Sequence, residues 1–367
     1  MNLVTISLCM ILKNEEDVIG RCLDSVQDLV DEINIIDTGS TDQTKEIVSH
    51  YTNRIFDFTW IDDFAAARNF AFKQATQDYI LWLDADDILR VQDQELLDLL
   101  KRNLAPSVDA VSMHYNLTFD YQGNVSHSLR RNRLVKRSNH FQWHGAVHEY
   151  LAVGGNILQS EISVTHLGKP HEPEHSDRNL RIYEQQIAKG ITFTPRDLFY
   201  YANECFDHRL YQKAIRYYNQ FLDTEKGWSE DCISACGKVA DAHLELQEKN
   251  KAVEFVLKSF SYDTPRAENC CRLGLIHLTH GEIEQAVFWY DLATKLDHKN
   301  IQDKSGFINN SCYTWVPHVQ LCVCYDRLGK YRLAKEHNDK AKAYDPQNPA
   351  ILHNEDYLNT ILWEKKK

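Results

Sequence analysis

Leu81-Trp82-Leu83-Asp84-Ala85-Asp86-Asp87 ends an apolar run in a cluster of carboxylates. Such a run reads as a buried strand that stops at a sheet edge, and open α/β sheets bind their ligands outside the carboxyl ends of the strands. A nucleoside diphosphate bound there needs a divalent cation, because the negative charge of the departing diphosphate must be neutralised by a hard ion held by carboxylate oxygens. Mn²⁺ or Mg²⁺ would then be bound directly by Asp86, with Asp84 closer to the ribose. Asp-x-Asp by itself also describes a solvated strand end or a helix cap, so the flanking sequence carries the decision.

On both sides of this motif, from residue 3 to about 104, short apolar runs alternate with helical patterns, as in stacked βαβ units with a mostly parallel sheet. The expected strands are Ile6–Leu12, Glu32–Asp37, Arg54–Phe58 and Tyr79–Asp84. Val18, Cys22 and Val26 make one helical face, and Ser40-Thr41-Asp42-Gln43 reads as a capping box. Residues 109–167 are less regular, with further strands at Asp109–Asn116, Arg133–Arg137 and Ile162–His166. Lys169-Pro170-His171-Glu172-Pro173-Glu174-His175 is the most loop-like stretch, and everything after Asp177 reads as helix. The expected division is a first domain over 1–170, a linker and connecting helix over 171–195, and a second domain over 196–367.

The chain of 367 residues, 43% hydrophobic and 26% charged, is long enough for two cores. Its formal net charge of -12 argues against a nucleic-acid or anionic-membrane binder, since both need clustered Lys and Arg. The apolar start at Leu3–Leu12 lacks a basic leader and runs into Lys13-Asn14-Glu15-Glu16, so it reads as a strand rather than a signal. No stretch reaches the roughly 18 apolar residues of a membrane span. The ten cysteines lack zinc spacing and read as reduced, buried thiols of a cytoplasmic protein.

The second half contains a repeat. In one register, Ala214, Ala252, Ala286 and Ala334 follow Ala202, Ala240, Gly274 and Cys322 by twelve residues each, all small enough to let two helices approach closely. Ala252 to Ala286 is 34 residues, with Gly281 and Gly329 in turns and Tyr331 and Pro346 at fitting positions. Residues 196–350 thus resemble tetratricopeptide repeats. The first step is 38 residues, and the third is 48 because Asn300–Tyr313 is inserted.

Three further segments give the acidic motif its context. Ser7-Leu8-Cys9-Met10-Ile11-Leu12-Lys13-Asn14-Glu15 ends the first strand, and Ile35-Ile36-Asp37-Thr38-Gly39-Ser40-Thr41-Asp42 ends the second. Asp63-Phe64-Ala65-Ala66-Ala67-Arg68-Asn69 opens a helix. On the residues alone, Asp37 either faces a ligand over the sheet edge or caps a helix, and Arg68 either stacks on a base, grips phosphate or makes a surface ion pair. In this order and spacing, the segments resemble family 2 glycosyltransferases of the GT-A fold over residues 3–170. The resemblance implies that Asp37 and Arg68 contact the nucleoside, that the strand end near Lys13 lines the base pocket, and that Asp84 and Asp86 form the metal motif. The implied fold class is α/β GT-A, Rossmann-like with a mostly parallel sheet, followed by an all-α tetratricopeptide-like repeat domain.

In Phe141-Gln142-Trp143-His144-Gly145-Ala146-Val147-His148-Glu149, Trp143 offers a face on which a sugar can stack, while His148 and Glu149 supply a base and hydrogen-bonding groups. The resembling family has a Trp-x-Gly-x-Val-His-Glu element on the acceptor side of its pocket. An inverting transfer needs one base; Glu149 is the first candidate and His148 its competitor, and either could be a structural polar residue. GT-A enzymes often complete the metal shell with a histidine from the region of Val164-Thr165-His166-Leu167-Gly168, which makes His166 the candidate third ligand. Arg130, Arg131, Arg133, Lys136 and Arg137 form a basic cluster that could hold the diphosphate or face solvent.

These readings imply an inverting transferase that uses a nucleotide sugar, a UDP-hexose. A GT-A domain joined to such helices looks like the sublancin-type peptide S- or O-glycosyltransferases, which modify Cys or Ser of bacteriocin precursors. The expected acceptor is therefore a peptide or protein held with help from the repeats, with a cell-envelope glycan or lipid as the alternative. The repeats could also pair two chains through Trp289 and Trp315, unless both are core. Two other classes share single features with this sequence. Asp84-x-Asp86 also resembles the nucleophile motif of haloacid-dehalogenase-type phosphatases, which place it on the first strand, whereas here it follows three others. A repeat adaptor with a dead transferase domain conflicts with the full set of polar residues.

Overall fold

A computed structural model describes residues 3–119, 125–169, 176–297 and 309–364. The loop-like stretch 169–175 lies almost wholly outside the described residues, as does most of the 300–313 insertion. The chain divides into two compact units between Ile191 and Thr192.

The first unit is built on an eight-stranded sheet. Its strands are β1 (Ile6–Leu12), β2 (Glu32–Asp37), β3 (Ile55–Asp57), β4 (Tyr79–Trp82), β5 (Asp87–Leu89), β6 (Ala110–Phe119), β7 (Val125–Lys136) and β10 (Ile157–His166), in spatial order β3-β2-β1-β4-β7-β6-β10-β5. A separate hairpin pairs β8 (Gln142–His144) with β9 (Tyr150–Ala152). The first four strands in that order are parallel, β7 and β5 run antiparallel to their neighbours, and β10 is parallel to β6. The first unit therefore has the fold class expected, with the mostly parallel half contributed by residues before 83.

β1 and β4 are apolar on both faces because both faces are covered, as parallel strands require. Ile6, Leu8, Met10 and Leu12 pack on one side with Leu23 of helix α1 (Ile19–Asp24) and Leu97 of α4 (Val91–Asn103). Cys9, Ile36 and Ile80 face the other side, against Ala71 of α3 (Phe64–Gln74). Helix α5 (Arg178–Ala188) belongs to this unit, whereas the sequence reading assigned it to a separate connecting segment.

Two local expectations change. The strand before the acidic motif stops at Trp82, two residues early, because Asp84 to Asp87 form a tight turn in which the Asp87 amide donates to the Asp84 carbonyl at 3.1 Å. The capping box at Ser40-Thr41-Asp42-Gln43 does not form. Ser40 and Thr41 instead bind the 14–16 loop through Asn14, and Asp42 accepts from the amide and hydroxyl of Thr44 at the start of α2 (Thr44–Ser49).

The second unit stacks four helix pairs: α6 (Pro195–Asp207) with α7 (Tyr211–Asp223), α8 (Ser229–Glu245) with α9 (Lys249–Ser259), α10 (Ala267–Thr279) with α11 (Ile283–Ala293), and α12 (Trp315–Arg327) with α13 (Tyr331–Tyr344). A final helix, α14 (Pro349–Glu364), closes the stack. The small residues read as a register are all in helix interiors, and all eight are buried. Each pair turns through a residue with positive φ at Arg209, Gln247, Gly281 and Gly329, and the next amide returns to a carbonyl five residues back at 2.8–2.9 Å. This is the Schellman closure. Only two of the four positions carry glycine, so the sequence revealed half of a device that all four repeats share. Trp289 packs beside Phe260, and Trp315 against Val319, Ala341 and Ile351, so both tryptophans belong to the repeat cores. All ten cysteines are buried and none forms a disulfide. Among the described residues, no helix is long and apolar enough to cross a membrane.

Gly274 shows how tightly the pairs are packed, since a Cβ there would lie 2.6 Å from the ring of Tyr290. Tyr290 is fully buried and has no room to retreat. Gly274→Val should therefore cost about 2 kcal/mol through overpacking, read as an earlier helix-unfolding midpoint in urea followed by circular dichroism.

Candidate active site

Helix α3 places the first functional side chain. Its N-cap Asp63 accepts from the Ala66 amide at 2.8 Å, which fixes the helix start and points Arg68 across the carboxyl end of β4. The Arg68 guanidinium lies 5.1 Å from the ring of Trp82 and 4.8 Å from that of Trp143. Its Nε donates to Glu149 Oε1 at 2.6 Å, and its Nη2 donates to Asp84 Oδ1 at 2.7 Å. Burial works to raise the Asp84 carboxyl, but the Arg68 and Arg133 guanidiniums overcome it and hold the group below the ordinary carboxylate range.

The hairpin that carries Glu149 is fastened to α3 by backbone. Asn69 donates to the Trp143 carbonyl and accepts from the Trp143 amide, both at 2.9 Å, and the Phe64 amide donates to the Ala146 carbonyl at 2.9 Å. Gly145 and His148 take positive φ within the hairpin loop. For a histidine this conformation persists only where the surroundings impose it.

Beside this arrangement, topology brings β5 against the end of β10, so that Asp87 pairs with His166 and the Leu167 amide donates to the Asp86 carbonyl. Asp86, Asp87 and His166 each offer one ligand atom, all within 4.8 Å of one another. Two carboxylates and an imidazole suit Mn²⁺ or Mg²⁺. Asp87 Oδ1 is buried and accepts no hydrogen bond of normal geometry, an orphaned oxygen that a cation would satisfy. The donor set therefore fits the ion the sequence implied. The Asp86 carboxylate, then that of Asp87, push the His166 imidazole up to about 10, so without a cation the ring carries a proton in its place.

Arg68, Asp84, Trp143, His148 and Glu149 all line one cavity of about 310 Å³. Asp86 and His166 meet next to it, joined through Asp84 and Asp87, since the Asp84 amide donates to Asp87 Oδ2 at 3.0 Å. Lys13 and Asp37 stand outside that lining. Lys13 is exposed at the end of β1, and the buried Asp37 carboxylate accepts from the Gly39 and Ser40 amides, in a local turn and not as the helix cap that was its alternative reading. Trp143 is only 4% exposed, packed between Trp82, Phe72 and Arg68, so its ring is chiefly part of the wall that holds the arginine. The basic cluster divides. Lys136 and Arg137 bind the carbonyls of Pro106 and Gln77, whereas Arg130, Arg131 and Arg133 line the cavity. Asp87 and Tyr115 were missed: Asp87 stood in the quoted motif, but its pairing with β10 is a long-range contact with no local signal.

A model of the glycosyl transferase family 2 matches residues 7–160, and a tetratricopeptide repeat model matches residues 267–300. A TPR repeat-containing protein of Synechococcus elongatus is 47% identical over 325 residues, covering 88% of this chain and 73% of that protein. The chain is a family 2 glycosyltransferase with tetratricopeptide repeats. The SPbeta prophage-derived glycosyltransferase SunS of Bacillus subtilis is 27% identical over 257 residues, 67% of this chain and 60% of that protein. The lipopolysaccharide core biosynthesis glycosyltransferase LpsC of Rhizobium meliloti is 29% identical over 162 residues, 41% of this chain and 58% of that protein. The match to these last two therefore spans less than two thirds of their length.

The enzyme's hairpin depends on the Asn69 clamp. Asn69→Ala removes both hydrogen bonds and leaves the Trp143 amide and carbonyl to find other partners, at a cost of about 2 kcal/mol. Faster amide hydrogen exchange across residues 142–152, with the rest of the sheet unchanged, is the expected result.

Proposed function

We propose that the enzyme is an inverting, cation-dependent hexosyltransferase that moves a sugar from a UDP-sugar to a Cys or Ser/Thr side chain of a peptide, which the repeat unit helps to hold. The observation that carries this reading is the Arg68 bridge, which ties Asp84 at the strand end to Glu149 over a cavity of about 310 Å³. The relation to SunS supports a peptide acceptor.

In this reading Lys13 and Asp37 border the nucleoside, and Asp84 and Arg68 meet the ribose and diphosphate. Asp86, Asp87 and His166 would hold Mn²⁺ or Mg²⁺, whose chemistry when bound is to neutralise charge on the departing diphosphate. The acceptor thiol or hydroxyl attacks the anomeric carbon while its bond to the diphosphate oxygen breaks, and UDP leaves with the electron pair. Glu149 takes the acceptor proton; the Arg68 contact uses its Oε1 and leaves Oε2 for this task. His148, on the same loop, orients the acceptor and is the alternative base. Buried, reduced thiols suit a reaction in the cytoplasm. A second reading, transfer to a cell-envelope glycan, is favoured by the relation to LpsC.

Mass spectrometry of Cys- and Ser-containing peptides and of envelope glycans, each incubated with a panel of nucleotide sugars and Mn²⁺, decides between the acceptors. A mass gain only on the glycans would rule out the peptide. Asp86→Ala should keep the fold and lose transfer by on the order of 10²-fold or more. Glu149→Gln should lose turnover by roughly 10²–10⁴-fold with UDP binding retained; full activity would hand the base role to His148.

Cation binding should also release a proton. Because His166 is held protonated up to about 10, Mn²⁺ must displace that proton at neutral pH, and apparent affinity should weaken as pH falls, by up to about tenfold per pH unit. Calorimetric titration in two buffers of different ionisation enthalpy should read close to one proton released.

A further inference from the structure

Arg133, in β7, has no exposed side-chain surface, and neither has Asp87. Its guanidinium carbon lies 3.9 Å from the centroid of the Trp82 ring and 4.3 Å from that of Tyr115. Nη2 is 3.0 Å from Asp87 Oδ2, and Nη1 is 3.8 Å from Asp84 Oδ2. A charge so fully buried persists only when paired, so Arg133 and Asp87 are each there on account of the other. Stability does not explain the pair, because apolar residues of similar volume usually serve a core as well or better.

The pair does decide which way Asp87 faces. Oδ2 meets the Arg133 charge and accepts from the Asp84 amide at 3.0 Å. Oδ1 is left without a hydrogen bond of normal geometry, beside Asp86 and 3.6 Å from His166 Nδ1. Two aromatic faces and a planar fork suit arginine and not lysine, whose ammonium is a flexible point charge. Electrostatics alone would remove this arginine, since a cation bound at Asp87 is repelled by it. Its presence against that cost points to geometry.

We propose that Arg133 is a positioning residue: held between Trp82 and Tyr115, it turns Asp87 so that Oδ1 serves as a cation ligand with Asp86 and His166. This rests on the reading that the cation binds at those three residues. With no exposed side-chain surface, Arg133 acts through Asp87, and groups of this kind typically change metal affinity by 10–100-fold when altered.

The test is Mn²⁺ affinity, read from loss of the free-ion electron paramagnetic resonance signal, in the full chain with UDP present. Arg133→Lys keeps the charge and removes the planar fork, so it isolates geometry, and about a tenfold weaker affinity is expected with the circular dichroism spectrum unchanged. Tyr115→Leu removes one of the two ring faces and should weaken binding severalfold, whereas Tyr115→Phe keeps the ring, loses only the hydroxyl that lies 3.3 Å from His166 Nδ1, and should weaken it less. Unaltered affinity in Arg133→Lys overturns the assignment. Should that variant fail to fold, unaltered affinity in Tyr115→Leu overturns it instead, as does equal weakening in Tyr115→Phe, which would assign the effect to the hydroxyl. No Mn²⁺ binding by the unaltered enzyme sinks the cation reading and this inference with it; normal binding there and in the variants sinks only the role of Arg133.

Discussion

The Arg68 guanidinium, between two tryptophan rings and between two carboxylates, is the contact that makes one site from three distant segments. It comes from α3, Asp84 from the turn after β4, and Glu149 from the hairpin loop, 81 residues beyond Arg68. A charge this little exposed must be compensated, and here both compensating groups are the ones the chemistry calls for. Without Arg68, Asp84 and Glu149 would be two partly buried carboxylates lining one cavity with no cation between them.

The same logic repeats one layer deeper. Four carboxylates, Asp84, Asp86, Asp87 and Glu149, meet at one sheet edge of a chain whose net charge is already -12. Arg68 and Arg133 each lie against Asp84, and each is also paired with one further carboxylate of the set, Glu149 or Asp87. Asp86 is left to His166. Against these four negative charges stand Arg68, Arg133 and, while no cation is bound, the proton on His166. Trp143, which in isolation looks like a sugar platform, and Trp82 here shield the arginines from water, where their pairing would be weaker.

The repeat unit is held together differently. Small residues let the paired helices close, and the left-handed turn between them recurs at one register in all four pairs even where arginine or glutamine must adopt it. Backbone hydrogen bonding, rather than glycine, defines the turn.

The sequence alone determined the alternating strands and helices, the strand limits of β1 and β2, the acidic motif, the family of the first half and the repeat register, because each is written in local periodicity or contiguous residues. It also named five members of the cavity wall, Arg68, Asp84, Trp143, His148 and Glu149, and passed over Trp82, which stands inside the acidic motif. Only the tertiary structure decided that Asp87 faces His166, that Arg133 is buried beneath it and not spread along a solvated face, that Trp143 is wall and not platform, and that Asp37 spends its oxygens on its own turn. The first two depend on the antiparallel pairing of β5 with β10 and of β7 with β4, contacts between residues more than fifty positions apart. Such contacts leave no periodic trace, since the strand order of a sheet is set by what the folded chain can bury together and not by any one of its segments.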